Sequence, residues 1–272
     1  MSLSVITNVG SLLASDQLSN NQVGLNETIA QLSSGKRIVN ASDDPAGLVL
    51  ATEQQGLLGA LGKAQSNTAN ATSFLQTADG ALSNIGNLLQ TAQQLATEAS
   101  DGSFSSSQLT ALNSQYQAIL SSITQIVNGT NFNGQALLGG GSVTFQVGAG
   151  TTSNSQVTIT LPSVSTTSLA LNSTDLTSQV NAQAALGSIT TALGTVAGDR
   201  GTLGASEQQL SAIFSNLQTT VQNLTTALST IQDANVAQTF ASFTKFSVLQ
   251  QIGVQVLRQA DASPNQLISL FQ

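Results

Sequence analysis

The chain has 272 residues, with 13 acidic and 6 basic side chains, a net charge of −7, and no histidine, cysteine or tryptophan. Those absences exclude a disulfide framework, a cysteine–histidine zinc site, a thiol nucleophile and histidine acid–base catalysis, and six scattered cations cannot neutralise a nucleic-acid backbone. Charged residues make up 7% of the chain against about a quarter in an average soluble domain, so its surface is suited to meeting other protein.

From Val5 to about Val39 the apolar positions have helical spacing. Leu18, Leu25, Leu32 and Val39 repeat every seven residues, which favours a coiled-coil seam, although Asn21 and Thr28 fall at seam positions. Ser42-Asp43-Asp44-Pro45 follows, and Asp44 can cap a helix that starts at Pro45, where the missing N–H costs nothing. Asp43 and Asp44 are adjacent carboxylates, read as a cap and turn beside Lys36 and Arg37. Residues 56–99 predict a long helix with Phe74, Leu75, Ala78, Leu82, Ile85, Leu89 and Leu95 as its stripe. A turn at Asp101-Gly102-Ser103 leads to a further helix over 109–127.

The period then changes. Asn133-Gly134 marks a tight turn. Val143, Phe145 and Val147, then Val157, Ile159 and Leu161, alternate with polar residues and predict two half-buried strands. Residues 162–175 read as irregular. Helical spacing returns over 176–231, with a kink expected at Gly198–Gly204. A last helix over 234–259 carries Phe240, Phe243, Val248, Leu249, Ile252 and Val256, and Pro264 is expected to interrupt it.

The expected fold is therefore mainly α with a small β-hairpin region. The N- and C-terminal halves pair as an elongated antiparallel helical rod or coiled coil, since a helix of about 50 residues spans about 75 Å. Residues 1–40 and 235–272 form a terminal coiled-coil domain in this reading. Residues 41–234 form a rod domain with three long helices and hairpins at about 131–162. No window is apolar enough for a transmembrane helix. The N-terminus lacks the basic and apolar regions of a cleaved signal peptide. No catalytic, metal-binding or cofactor-binding residues are expected, and an enzyme is the least expected class.

Several ordered motifs carry a resemblance. Leu32-Ser33-Ser34-Gly35-Lys36-Arg37-Ile38 with Ser42-Asp43-Asp44-Pro45-Ala46-Gly47 resembles the N-terminal signature of bacterial flagellins. Asn131-Phe132-Asn133-Gly134 and Phe145-Gln146-Val147-Gly148 are similar to the family's turn and first hairpin strand. Ile231-Gln232-Asp233-Ala234, Val248-Leu249-Gln250-Gln251-Ile252-Gly253 and Pro264-Asn265-Gln266 resemble its C-terminal motifs.

The resemblance implies a subunit that self-assembles into the flagellar filament for swimming motility. The terminal helices would line the filament core, the inner helices and hairpins a second layer, and the strands would set curvature. Only residues 162 to about 177 stand where most members insert an outer domain, so a minimal subunit is implied. Val5, Val9, Leu25, Leu32, Phe240, Phe243, Val248, Leu249 and Ile252 would form the self-assembly core, and Lys36, Arg37, Asp43 and Asp44 signature and inter-subunit contacts. The implied location is extracellular, after type III export without a cleaved signal peptide. The implied partners are copies of itself, an export chaperone, and filament cap and junction proteins.

Two departures stand out. Phe243-Thr244-Lys245-Phe246 replaces a Leu-Ser-Arg-Ala pattern, so a small position becomes Phe246. The segment containing Gln90 and Leu95 is similar to one read by innate immune receptors, but Thr91 and Gln115 replace an Arg and a Glu, which implies weak recognition. The rival readings are a hook–filament junction protein of the same superfamily and a flagellin-like surface binding protein.

Overall fold

The computed structural model describes the backbone of residues 8–270 and the side chains of residues 8–262. Five helices and two antiparallel hairpins follow one another there. In chain order they are α1 (Val9–Ser34), α2 (Pro45–Ala99), α3 (Ser106–Gly129), β1 (Asn131–Phe132), β2 (Gln135–Ala136), β3 (Gly139–Gln146), β4 (Gln156–Ser163), α4 (Gln179–Gln232) and α5 (Val236–Leu270). The mainly α class with a small hairpin region is as the sequence predicts. The chain divides into two compact units, one from residues 57–222 and one from the described parts of 1–56 and 223–272.

The unit of residues 57–222 holds the continuous core. Phe74, Leu75, Ala78, Leu82, Ile85 and Leu89 of α2 are buried at the expected helical spacing, with Tyr116 and Ile123 of α3 and Ile189 and Leu203 of α4. α3 opens on a capping box: the Ser105 hydroxyl accepts from the Gln108 N–H, and the Gln108 side chain accepts from the Ser105 N–H. Arg200 holds Asp79 with two bonds of 2.8 and 3.1 Å, tying α4 to α2. β3 and β4 pair with Val143 opposite Ile159 and Phe145 opposite Val157, which places their alternating apolar residues on one face. Phe74 meets both Phe132 and Phe145 edge-to-face, so α2 anchors both hairpins. The segment after β4 has no regular structure, yet Val164, Leu169, Leu171 and Leu176 are buried in it.

Four features of the helices differ from the sequence reading. α1 stops at Ser34 because Gly35 takes a left-handed conformation (φ 69°) and its N–H closes on the Gln31 carbonyl, so Val39 lies beyond the helix. α2 runs unbroken from Pro45, with its glycines absorbed into one helix. α4 is unbroken through Gly198–Gly204. α5 continues through Pro264 to Leu270.

Candidate assembly surface and its junction

α1 and α5 pack against each other along their length. At about 100° per residue, Leu18, Leu25 and Leu32 share one side of α1, and Leu25 is buried there while Leu32 is half-buried. Thr28 is also buried in this seam, and its hydroxyl is satisfied by the Gly24 and Leu25 carbonyls at 3.1 and 2.9 Å. The seam therefore tolerates the polar residue because its helix supplies the acceptors.

Glycines set how closely the two helices approach. The Phe246 ring of α5 lies over Gly24 of α1, where an added Cβ would stand 2.6 Å from Cζ and 2.8 Å from Cε1. A second approach places Leu18 over Gly253, where a Cβ would stand 3.1 Å from Leu18 Cδ1. The Phe246 ring is thus matched by an empty site on the facing helix.

Both helices also carry large apolar groups that stay exposed to solvent. On α1 these are Val9, Leu12, Leu13 and Val23, and on α5 they are Val236, Phe240, Val248, Val254 and Val256. Val9 is 58% exposed and Phe240 59%. Leu249, Ile252 and Val256 line an apolar groove of about 460 Å³ with Leu13 of α1. Phe243 is half-buried and its ring lies 6.1 Å from that of Phe240. Of the nine residues expected to form the self-assembly core, Leu25, Leu32, Phe243 and Leu249 are wholly or partly covered within the chain. Val9, Phe240, Val248 and Ile252 are exposed, and Val5 lies outside the described residues.

The signature segment between α1 and α2 builds a junction with the end of α4. The Gly35 carbonyl accepts from the Ala234 N–H at 2.9 Å, and the Arg37 N–H donates to the Gln232 carbonyl at 2.7 Å. The Arg37 side chain donates through Nε and Nη2 to the Ile231 carbonyl at 3.1 and 2.8 Å, and through Nη2 to Asp44 Oδ2 at 3.2 Å. Ile231 is one of the last residues of α4, where carbonyls lack helical donors and the dipole end is negative. Asp44 Oδ1 accepts from the Gly47 N–H at 2.9 Å, at the positive end of α2. One ion pair thus serves two helix ends. Asp43 Oδ2 accepts from the Val39 and Asn40 N–H groups at 2.9 and 2.8 Å, which fixes the turn.

Replacing Arg37 by Ala is expected to cost about 1 kcal/mol, because charged hydrogen bonds at an exposed site are worth little more. Faster amide exchange over residues 230–236, partly recovered by Arg37→Lys, is the result to look for. The Gly47 N–H and then the Arg37 guanidinium hold the Asp44 carboxyl below the usual carboxylate range. A depressed pKa gives stabilisation that is complete above the ordinary carboxylate value of about 4 and is lost as pH falls through the lower folded value. Proteolysis between residues 35 and 47 is therefore expected to speed up as the pH falls below about 4.

In the other unit, Gln90 is exposed on α2, whereas Leu95 is half-buried against the core. Thr91 is exposed and its hydroxyl donates to the Asn87 carbonyl at 3.1 Å. No helix among the described residues is long and apolar enough to cross a membrane.

Comparison with known proteins gives a consistent result. The family model for the bacterial flagellin N-terminal helical region matches residues 5–142, and that for the C-terminal helical region matches residues 186–271. A flagellin of Halalkalibacterium halodurans is 32% identical over 248 residues, covering 90% of this chain and 91% of that protein. A flagellin of Listeria monocytogenes is 30% identical over 288 residues, covering 99% of each. The crystal structure of Bacillus cereus flagellin has a TM-score of 0.51 at 28% identity, over 56% of this chain and 88% of that one. A putative flagellar hook-associated protein from Vibrio parahaemolyticus has a TM-score of 0.59 at 15% identity, over 70% of this chain and 99% of that one, a likeness of fold alone. The chain belongs to the bacterial flagellin family.

Proposed function

We propose that this chain is a structural subunit of the extracellular flagellar filament, and that it polymerises by burying the free faces of α1 and α5 against other copies. The observation that carries this is a helix pair already packed on one side and still apolar on the other. Each large aliphatic or aromatic side chain taken out of water contributes about 1.5–3 kcal/mol. With Val9, Leu12, Leu13, Val23, Phe240 and Val248 exposed, several such groups per subunit are available.

In this reading residues 1–40 and 235–272 form the inner layer and 41–234 the outer one, with no large domain beyond. Arg37, Asp43 and Asp44 act by holding the junction. The exposed Lys36 is the member of that set left for a neighbouring subunit. The subunit reaches the cell exterior through the flagellar export channel with an export chaperone, and meets cap and junction proteins there. Innate-receptor signalling by the free subunit is weak, because Thr91 and Gln115 supply no charge beside Gln90 and Leu95. A reporter assay with purified subunit should give a response well below that of a flagellin with Arg and Glu at those positions, and an equal response would refute this.

Electron microscopy after seeding purified full-length protein tests the main reading. Long filaments are expected. Short caps or no growth would favour a hook–filament junction protein.

A further inference from the structure

We infer that Asn8 is a positioning residue for self-assembly: its amide takes the carbonyl that Pro264 leaves free in α5 and so joins the start of α1 to the end of the facing helix. In an unbroken α-helix the N–H of residue 264 would donate to the carbonyl of residue 260. Residue 264 is proline and has no N–H. α5 nevertheless continues through this position to Leu270. The Ala260 carbonyl accepts instead from Asn8 Nδ2 at 2.7 Å, across 252 residues of sequence.

The same side chain does a second job. Asn8 is the N-cap of α1, and its Oδ1 accepts from the Ser11 N–H at 3.1 Å. One amide therefore uses its acceptor to start α1 and its donor to satisfy α5. A neighbouring bond supports the placement, since the Ser11 hydroxyl donates to the Asp261 carboxylate. Asparagine suits this position because it offers an acceptor and a donor on one short side chain. A serine or aspartate would cap α1 and leave the Ala260 carbonyl unserved.

The consequence is conditional order. Proline in a helix interior leaves one carbonyl without its partner, and the bond that replaces it exists only when α1 and α5 are in register. The last turns of α5 are thereby coupled to the pairing of the two helices. A subunit with unpaired ends does not present the end of α5 as a finished surface. This inference rests on the proposal that the terminal helices form the assembly surface.

The test is a double-mutant cycle on the full-length protein with Asn8→Ser, Pro264→Ala and the pair. Serine keeps the cap, since it ranks with asparagine at that position, but it cannot reach Ala260. Pro264→Ala restores the N–H that the Ala260 carbonyl would otherwise receive. Amide exchange over residues 255–268 of the free subunit is read first. Asn8→Ser is expected to speed exchange about fivefold in the chain that keeps Pro264, the worth of one neutral hydrogen bond. In the chain that carries Pro264→Ala the expected change is less than about twofold.

An equal acceleration in both backgrounds would mean that Asn8 acts only as a cap, and no acceleration would mean that the bridge is idle. Either overturns the inference. The critical concentration for seeded polymerisation of the same four proteins is read second. It should rise for Asn8→Ser and return with Pro264→Ala added. A critical concentration that ignores the cycle overturns the positioning role. The exchange arm needs no filaments, so it judges the bridge even if the polymerisation reading fails.

Discussion

A subunit carrying Val9→Asp and Val248→Asp is expected to fold normally and to form no filaments. Val9 and Val248 lie on the free sides of α1 and α5 and are 58% and 48% exposed, so each carboxylate meets water in the single chain. The carboxylate introduced by Val9→Asp would even sit in the first turn of a helix, where negative charge is favoured. In a polymer that buries both sites the balance reverses. Taking an unpaired carboxylate out of water costs several kcal/mol, and each 1.4 kcal/mol is about tenfold in an equilibrium constant. Two such sites per subunit are expected to raise the critical concentration by more than about a thousandfold. Circular dichroism melting checks the first half of the expectation and sedimentation after seeding the second. Filaments at an ordinary concentration would remove these two residues from the interface.

The effect of Gly24→Ala is expected to change sign with the residue at 246. In the native chain two tendencies oppose each other. Alanine in a helix interior is favoured over glycine by about 0.8–1 kcal/mol. The new methyl, however, would stand 2.6 Å from Cζ of Phe246, closer than carbon atoms tolerate. Crowding of this kind costs about 1–3 kcal/mol, so it outweighs the propensity gain and the variant is destabilised. In a chain that already carries Phe246→Ala the ring is gone and only the propensity gain remains. Gly24→Ala should then stabilise. Urea melts of the four proteins of the cycle decide it. The same sign in both backgrounds would mean that the ring moves aside freely and that the glycine is not there to receive it.

Elements set by local pattern were legible in the sequence. The buried stripe of α2 appears at the residues that helical spacing picks out, because each face of a helix repeats through one segment. The hairpin strands followed from alternation for the same reason, and the Asp44 cap from its place before Pro45. What joins distant segments was not legible. Nothing near Arg37 in the sequence points to Ile231, and nothing near Phe246 points to Gly24. Each contact lies across about two hundred residues and is fixed by helix register. The register gives no periodic signal of its own. Residues 162–177 escaped for a different reason: Val164, Leu169, Leu171 and Leu176 are buried without a regular period, so composition alone marked them as loop.

Pro264 shows how a sound local rule can be overridden. A proline inside a helix normally costs about 3 kcal/mol, in part because one carbonyl loses its donor. The rule predicts an interruption. Here the donor comes from Asn8 at the other end of the chain, so the helix continues. The terminal low charge fits the same picture. Residues 1–15 and 262–272 carry no charged side chain at all, which suits segments enclosed by copies of themselves.

Amide exchange in the free subunit and in the filament reads whether the terminal helices form the buried surface of the polymer. Peptides from residues 9–34 and 236–262 are expected to gain the greatest protection on polymerisation, with smaller changes over 57–222. Protection gained over 57–222 while the terminal helices exchange as they do in the free subunit would contradict it.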